Sequence, residues 1–213
     1  LLPSTACRQP LIITDQLENE ICTQGFHIID NFLPLEDYQT LRAIANEMHA
    51  KGQFKSAKIG RQFGAGHHIA IRNDQICWLD EESANQSIKA YFNKINLLAD
   101  RLNQTLFLGL VDFETHFAIY QPGAFYKKHV DQFATTKERR ISCVYYLNAD
   151  WQESFAGELN LYGLNDQLIT SILPCGNRFV CFNSELPHEV CPTRQTRYSI
   201  TGWMKTRSMS LVT

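Results

Sequence analysis

His129 and Asp131 form an H-x-D pair just after a strand-like run and a Pro122-Gly123 turn. In extended backbone, residues i and i+2 point to the same side. An imidazole and a carboxylate can therefore reach one metal ion from one short stretch. A second histidine, His188, follows in the segment Leu186-Pro187-His188-Glu189-Val190. Two histidines and one carboxylate on one face of an octahedron leave three adjacent positions open, a ligand set that suits non-haem Fe(II). A bidentate 2-oxo acid takes two of those positions and O2 the third. Imidazole and carboxylate also avoid the soft thiolate surroundings that favour zinc or an iron–sulfur cluster.

Arg197 opens the apolar run Arg197-Tyr198-Ser199-Ile200-Thr201-Gly202-Trp203. An arginine entering a buried strand needs an anionic partner to offset its desolvation. Its planar guanidinium matches a carboxylate with two parallel hydrogen bonds. The far carboxylate of 2-oxoglutarate supplies such a partner; an internal carboxylate such as Glu158 is the alternative. Taken singly, each of these residues reads better as an ordinary loop or ion-pair residue. Taken together, in this order and on strand edges, they favour a metal site.

The elements that must position these side chains divide the chain in two. The first half is helical. Residues 15–23 give a short helix ended by Gly25, and residues 26–32 a strand. Residues 34–50 form a helix, with Pro34 in its first turn, Glu36 and Asp37 at its positive end and Gly52 beyond it. Tyr38, Leu41, Ala45 and Met48 recur at helical spacing and face the core. A second long helix spans 83–104, with the stripe Ile88, Phe92, Ile95, Ala99 and Leu102. Between the helices, residues 53–68 hold Gly60, Gly64 and Gly66 and read as a loop. With His67 and His68 it has the composition of a flap over a site. Those two histidines read better as solvent-facing residues than as further ligands.

From Phe107 onward the period changes to two. The expected strands are 107–120, 141–147, 158–162, 168–173, 179–182 and 197–204, separated by Gly, Pro, Asn and Asp turns. Short antiparallel strands of this kind close into a barrel or jelly roll. With helices packed on one outer face, the expected class is α+β. A single domain is expected, with 1–105 as helical support and substrate-side loop and 106–206 as the β core.

Composition bounds the rest. The chain has 213 residues, 44% hydrophobic, with 20 basic against 22 acidic residues and a net charge of −2. No block of like charge argues for nucleic-acid or membrane binding. The seven cysteines are scattered, with no C-x-x-C pair, which fits a reducing cytoplasm better than a disulfide framework. No apolar run is long enough to span a bilayer, and the first ten residues lack the pattern of a signal peptide.

The residues also resemble a known family: the 2-oxoglutarate oxygenases, and within them the prolyl hydroxylases of the Egl-nine, hypoxia-sensing type and their bacterial relatives. The resemblance runs through Tyr120-Gln-Pro-Gly-Ala-Phe-Tyr126-Lys-Lys-His129-Val-Asp131 and Arg139-Arg140-Ile-Ser-Cys-Val-Tyr145-Tyr146-Leu-Asn148. It ends with Pro187-His188-Glu189-Val190 and Arg197-Tyr-Ser-Ile-Thr201-Gly-Trp203. An upstream stretch, Ile71-Arg72-Asn73-Asp74-Gln75-Ile76-Cys77-Trp78, is similar to the family's substrate-side segment. The resemblance implies a double-stranded β-helix of jelly-roll, cupin-like form. It implies Fe(II) on His129, Asp131 and His188, and decarboxylation of 2-oxoglutarate to succinate while a C–H bond is hydroxylated. It places Tyr146 beside Arg197 at the cosubstrate carboxylate, Tyr120 near the metal, and Thr201 and Trp203 on the pocket wall. It puts Arg72, Asp74 and Arg140 on the substrate side. For the tyrosines and Trp203, core packing is a competing explanation; for Arg72 and Asp74, a structural salt bridge is. One departure is Ala156-Gly157, where the family usually has a glycine pair. Ascorbate dependence is compatible with this chemistry.

Three functions compete at this level. The first is hydroxylation of a prolyl residue in a flexible segment of a partner protein, with O2 as co-substrate. The second keeps the chemistry but acts on a free amino acid or other small metabolite. The third is a β-barrel binding module without catalysis, against which the complete His129, Asp131, His188 and Arg197 set argues.

Overall fold

A computed structural model describes residues 16–57, 71–132 and 135–207. Residues 60–68, and His67 and His68 with them, lie outside the described residues. Among the described residues, three α-helices and a 3-10 turn, Glu153–Phe155, precede or flank two antiparallel sheets. Helix α1 is Leu17–Thr23, α2 is Leu35–Ala50 and α3 is Gln86–Leu106. The strands are β1 Phe26–Ile29, β2 Lys55–Ser56, β3 Gln75–Trp78, β4 Asp112–Tyr120, β5 Tyr126–His129 and β6 Arg139–Tyr146. They continue with β7 Leu159–Tyr162, β8 Leu168–Ile172, β9 Phe179–Asn183, β10 His188–Val190 and β11 Arg197–Lys205. The order in the larger sheet is β1-β9-β6-β11-β4-β3-β2, and in the smaller β5-β10-β7-β8. This is the expected α+β, double-stranded β-helix fold. Among the described residues, no helix is long and apolar enough to cross a membrane.

Alternation along the central strands separates two cores. Phe117, Ile119, Tyr145, Phe179, Cys181 and Ile200 face the helices, where they meet Leu41, Tyr91, Ile95 and Leu98. Ala118, Tyr120, Val144, Tyr146, Val180 and Phe182 face the second sheet, where they meet Leu159, Leu161, Ile172 and Val190. The larger sheet is thus buried on both faces, which is why its strands read as near-continuous apolar runs.

Some boundaries differ from the sequence reading, for local reasons. Helix α3 starts at Gln86 because the Asn85 side chain accepts hydrogen bonds from the Ser87 and Ile88 amides. It ends at Phe107, which takes a left-handed conformation at φ 54°. The expected strand 107–120 therefore begins only at Asp112. Pro34 has ψ 144° and caps α2 from outside instead of entering its first turn. The buried face of α3 includes Tyr91 and Leu98, while Ala99 is only half-buried.

Candidate metal centre and cosubstrate pocket

His129 ends β5 and His188 begins β10, and the two residues are paired in register. Asp131 follows β5 by two positions and turns toward both. Its Oδ1 lies 3.4 Å from His129 Nε2, and its Oδ2 lies 3.3 Å from His188 Nε2. The three ligand atoms fall within 4.8 Å of one another. The backbone fixes the tautomers. His129 Nδ1 bonds the Lys127 carbonyl at 2.8 Å and His188 Nδ1 bonds the Leu186 carbonyl at 2.9 Å. A carbonyl only accepts, so each Nδ1 carries a proton, which leaves Nε2, facing Asp131, as the atom that can bind a metal. This is how a metal-binding histidine is usually oriented.

The Asp131 carboxylate has its own support. Ser142 Oγ donates to Oδ2 at 2.7 Å, and Ser142 shares a 2.9 Å hydrogen bond with Ser184. Burial opposes ionisation of Asp131, but the two histidines outweigh it and hold the carboxyl well below its ordinary range. Burial and the neighbouring His188 lower the pKa of His129. Burial acts the same way on His188, but Asp131 reverses it and raises that pKa. Tyr126 stacks on the His129 ring at 3.5 Å, and Phe182 packs edge-on against His188 at 4.7 Å. These rings leave the imidazoles little room to rotate. Two imidazole nitrogens and one ionised carboxylate converging on a pocket fit Fe(II).

Arg197 lies in the same pocket and is 1% exposed. Its guanidinium carbon is 4.9 Å from the Tyr120 ring centre and 5.0 Å from that of Tyr146. Among the described residues no carboxylate pairs with it, so the alternative partner Glu158 is not used. Its Nε and the Tyr146 hydroxyl are both buried without a hydrogen-bond partner. A buried cation and a buried hydroxyl left unpaired side by side fit the far carboxylate of 2-oxoglutarate. Burial raises the Tyr146 hydroxyl pKa, so it stays a donor.

Arg72 and Asp74, expected on the substrate side, line the same pocket. Arg72 donates from Nε to Asp74 Oδ1 at 2.7 Å and from its terminal nitrogen to Oδ2 at 2.5 Å. Burial disfavours the Arg72 charge, but Asp74 more than restores it. Arg72 also lies over the Tyr126 ring at 4.2 Å. The pair is thus both a structural salt bridge and part of the pocket lining. Trp78 beside it is 58% exposed. Thr201 and Trp203 line the pocket as expected.

Arg140 is placed differently from its neighbour. The β6–β11 register shifts so that Lys205 pairs with Arg139 while Met204 pairs with Ile141. The extra residue rotates Arg139 onto the pocket face, where its guanidinium covers Trp203 at 3.5 Å and pairs with Glu114 at 2.6 Å. Arg140 is exposed and does not line the pocket. Sequence reasoning also missed His116, Tyr126, Ser142 and Ser184. Ser142 and His116 were accessible in principle, because alternation from Tyr146 and Tyr120 puts them on the pocket face.

Residues 115–205 match the 2OG-Fe(II) oxygenase superfamily. A Pseudomonas putida prolyl-4-hydroxylase structure is 35% identical, with a TM-score of 0.80 over 90% of this chain and 98% of its own. The chain belongs to the 2OG-Fe(II) oxygenase superfamily. Within it, the similarity is to prolyl hydroxylases. A Trichoplax adhaerens prolyl hydroxylase, solved with a hypoxia inducible factor oxygen degradation domain peptide fragment, is 27% identical. Its TM-score is 0.80, over 89% of this chain and 87% of its own. Egl nine homolog 1 of Homo sapiens is 29% identical over 186 residues, covering 84% of this chain and 43% of that protein. This chain therefore spans less than half the length of that relative.

Proposed function

We propose that this chain hydroxylates a prolyl residue in a flexible segment of another protein, consuming 2-oxoglutarate and O2 and releasing succinate and CO2. The observation that carries the reading is the Arg72–Asp74 pair at 2.5 Å, which lines the same pocket as Arg197 and the three candidate metal ligands. One pocket thus brings together a cation suited to the cosubstrate, the residues His129, Asp131 and His188, and a charged pair available to a substrate. The similarity to prolyl hydroxylases, one of them solved with a peptide, supports a peptide as the substrate.

When bound, Fe(II) and 2-oxoglutarate supply the oxidising equivalent that inserts one atom of O2 into a C–H bond and the other into succinate. The chain's own residues do the positioning. Arg197 and the Tyr146 hydroxyl hold the far carboxylate, with Tyr120 packed beside them. Ser142 keeps Asp131 oriented. Thr201 and Trp203 shape the wall, and the apolar rings around the metal site limit water. The six described cysteines are free thiols, in keeping with a reducing compartment such as the cytoplasm. Ascorbate is proposed as a reductant that sustains turnover. No nucleic-acid or membrane partner is proposed.

The test is the visible spectrum of the protein with Fe(II) and 2-oxoglutarate under anaerobic conditions. A weak metal-to-ligand charge-transfer band is expected, absent in His188→Ala. Admitting O2 with a proline-containing peptide should then add one oxygen atom to the proline. No band despite confirmed iron loading would overturn the reading in favour of a binding module.

A further inference from the structure

The register of β11 with its neighbours orders the pocket. Arg197 pairs with Tyr120, Ser199 with Ala118 and Tyr146, Thr201 with His116 and Val144, and Trp203 with Glu114 and Ser142. Ser142 holds Asp131. The metal ligands are therefore anchored level with Trp203, several residues along the strand from Arg197. His116 and Trp203 form the wall at that end.

Both carry a buried polar atom without a partner: Nδ1 of His116 and Nε1 of Trp203. The side chains are 3% and 8% exposed, and both line the pocket. Their rings lie 5.5 Å apart. Trp78 packs edge-on against His116 at 5.1 Å. Arg139, anchored by Glu114, covers Trp203. Both rings are thus held in place. A buried polar group left unmade costs more than a made hydrogen bond gains, so such pairs seldom persist without a ligand or water to complete them.

The indole N–H can only donate. Burial keeps His116 neutral, so one ring nitrogen accepts. With Nδ1 accepting, the wall presents a donor and an acceptor side by side. A residue in extended backbone offers the complement, because its own N–H and carbonyl point to the same side. Proline itself cannot pair in this way, because its ring replaces the N–H. The residue after the proline can, unless it is itself proline.

We propose that His116 and Trp203 bind the backbone of the residue that follows the target proline. Its carbonyl accepts from Trp203 Nε1, and its N–H donates to His116 Nδ1. His116 is then a specificity-determining residue for substrates with an unsubstituted amide at that position. A free proline, whose carboxylate lacks that N–H, is discriminated against. The inference rests on the prolyl-peptide reading above.

The test uses two end-capped peptides, Ala-Ala-Pro-Ala-Ala and its analogue N-methylated on the residue after proline. Binding to the full chain, loaded with Mn(II) and 2-oxoglutarate without O2, is followed by tryptophan fluorescence. The wild-type chain is expected to bind the N-methyl peptide about tenfold more weakly. His116→Met should bind both alike, and His116→Asn, which keeps a donor and an acceptor, should restore part of the preference. Equal binding of both peptides by the wild type overturns the inference and leaves the prolyl-peptide reading intact. Discrimination retained in His116→Met also overturns it, as a steric effect of the methyl group. Binding of neither peptide overturns the prolyl-peptide reading and the inference with it.

Discussion

At Ala156 the backbone has φ 54° and ψ −148°, a region that only glycine occupies without strain. This is the position where the resembled family usually has the first glycine of a pair. Ala156 also makes an isolated bridge to Thr193 and accepts the Trp151 indole N–H, so the surroundings hold it in place. Ala156→Gly should relieve the strain and stabilise the fold by about 1 kcal/mol, net of the extra chain entropy of glycine. A thermal melt should then show a rise of about 2–4 °C; an unchanged or lower midpoint would argue that the site is not strained. Arg197 makes a different argument at the same scale. Lysine keeps the charge but loses the bidentate fork. Arg197→Lys should weaken 2-oxoglutarate binding at least tenfold, read by titration of the charge-transfer band, with iron content unchanged. Equal loss of iron would remove the assigned role.

Between elements, Asn177 ties the β1–α2 connection to the barrel. Its Oδ1 accepts from the Leu33 amide at 3.0 Å and the Tyr145 hydroxyl at 2.8 Å, and its Nδ2 donates to the Leu33 carbonyl at 2.8 Å. It also adopts φ 60°, which asparagine tolerates better than most residues. Asn177→Ala should strand three buried polar groups and cost about 2–4 kcal/mol, measured by urea unfolding. A loss below about 1 kcal/mol would mean that water replaces the side chain. The irregular β6–β11 pairing shows how an element decides chemistry. One extra residue turns Arg139 inward, where it braces Trp203 and donates weakly to the Asp131 carbonyl at 3.4 Å. Period-two alternation alone would have turned Arg140 there instead.

For the whole molecule, the buried pocket histidine couples folding to pH. Burial lowers the pKa of His116 from 6.5 to about 4. Once unfolded, His116 takes up a proton below its ordinary pKa; while folded, it does not until near pH 4. Stability is therefore full above pH 6.5 and falls as pH drops from 6.5 to about 4. The total loss from this group is on the order of 3 kcal/mol. His116→Met should flatten that part of the curve, measured by denaturant unfolding of the metal-free chain across the range. An equally steep curve would place the effect elsewhere.

The candidate metal ligands His129, Asp131 and His188, and Arg197 as the candidate partner of an anion, were legible in the chain alone. H-x-D geometry is local, and a guanidinium in an apolar strand demands an anion wherever that strand lies. The sequence also determined both long helices and most of the core strands, because 3.6-residue and two-residue periods are written directly in the chain. Tertiary structure alone decided what depends on neighbours distant in sequence. The short strands Gln75–Trp78 and Tyr126–His129 carry too few residues for a period to show; they form because β4 and β10 offer them an edge. The choice between Arg139 and Arg140 came from a register shift that no local pattern encodes. The unpaired nitrogens of His116 and Trp203 exist only because cross-strand packing buries both rings in one pocket.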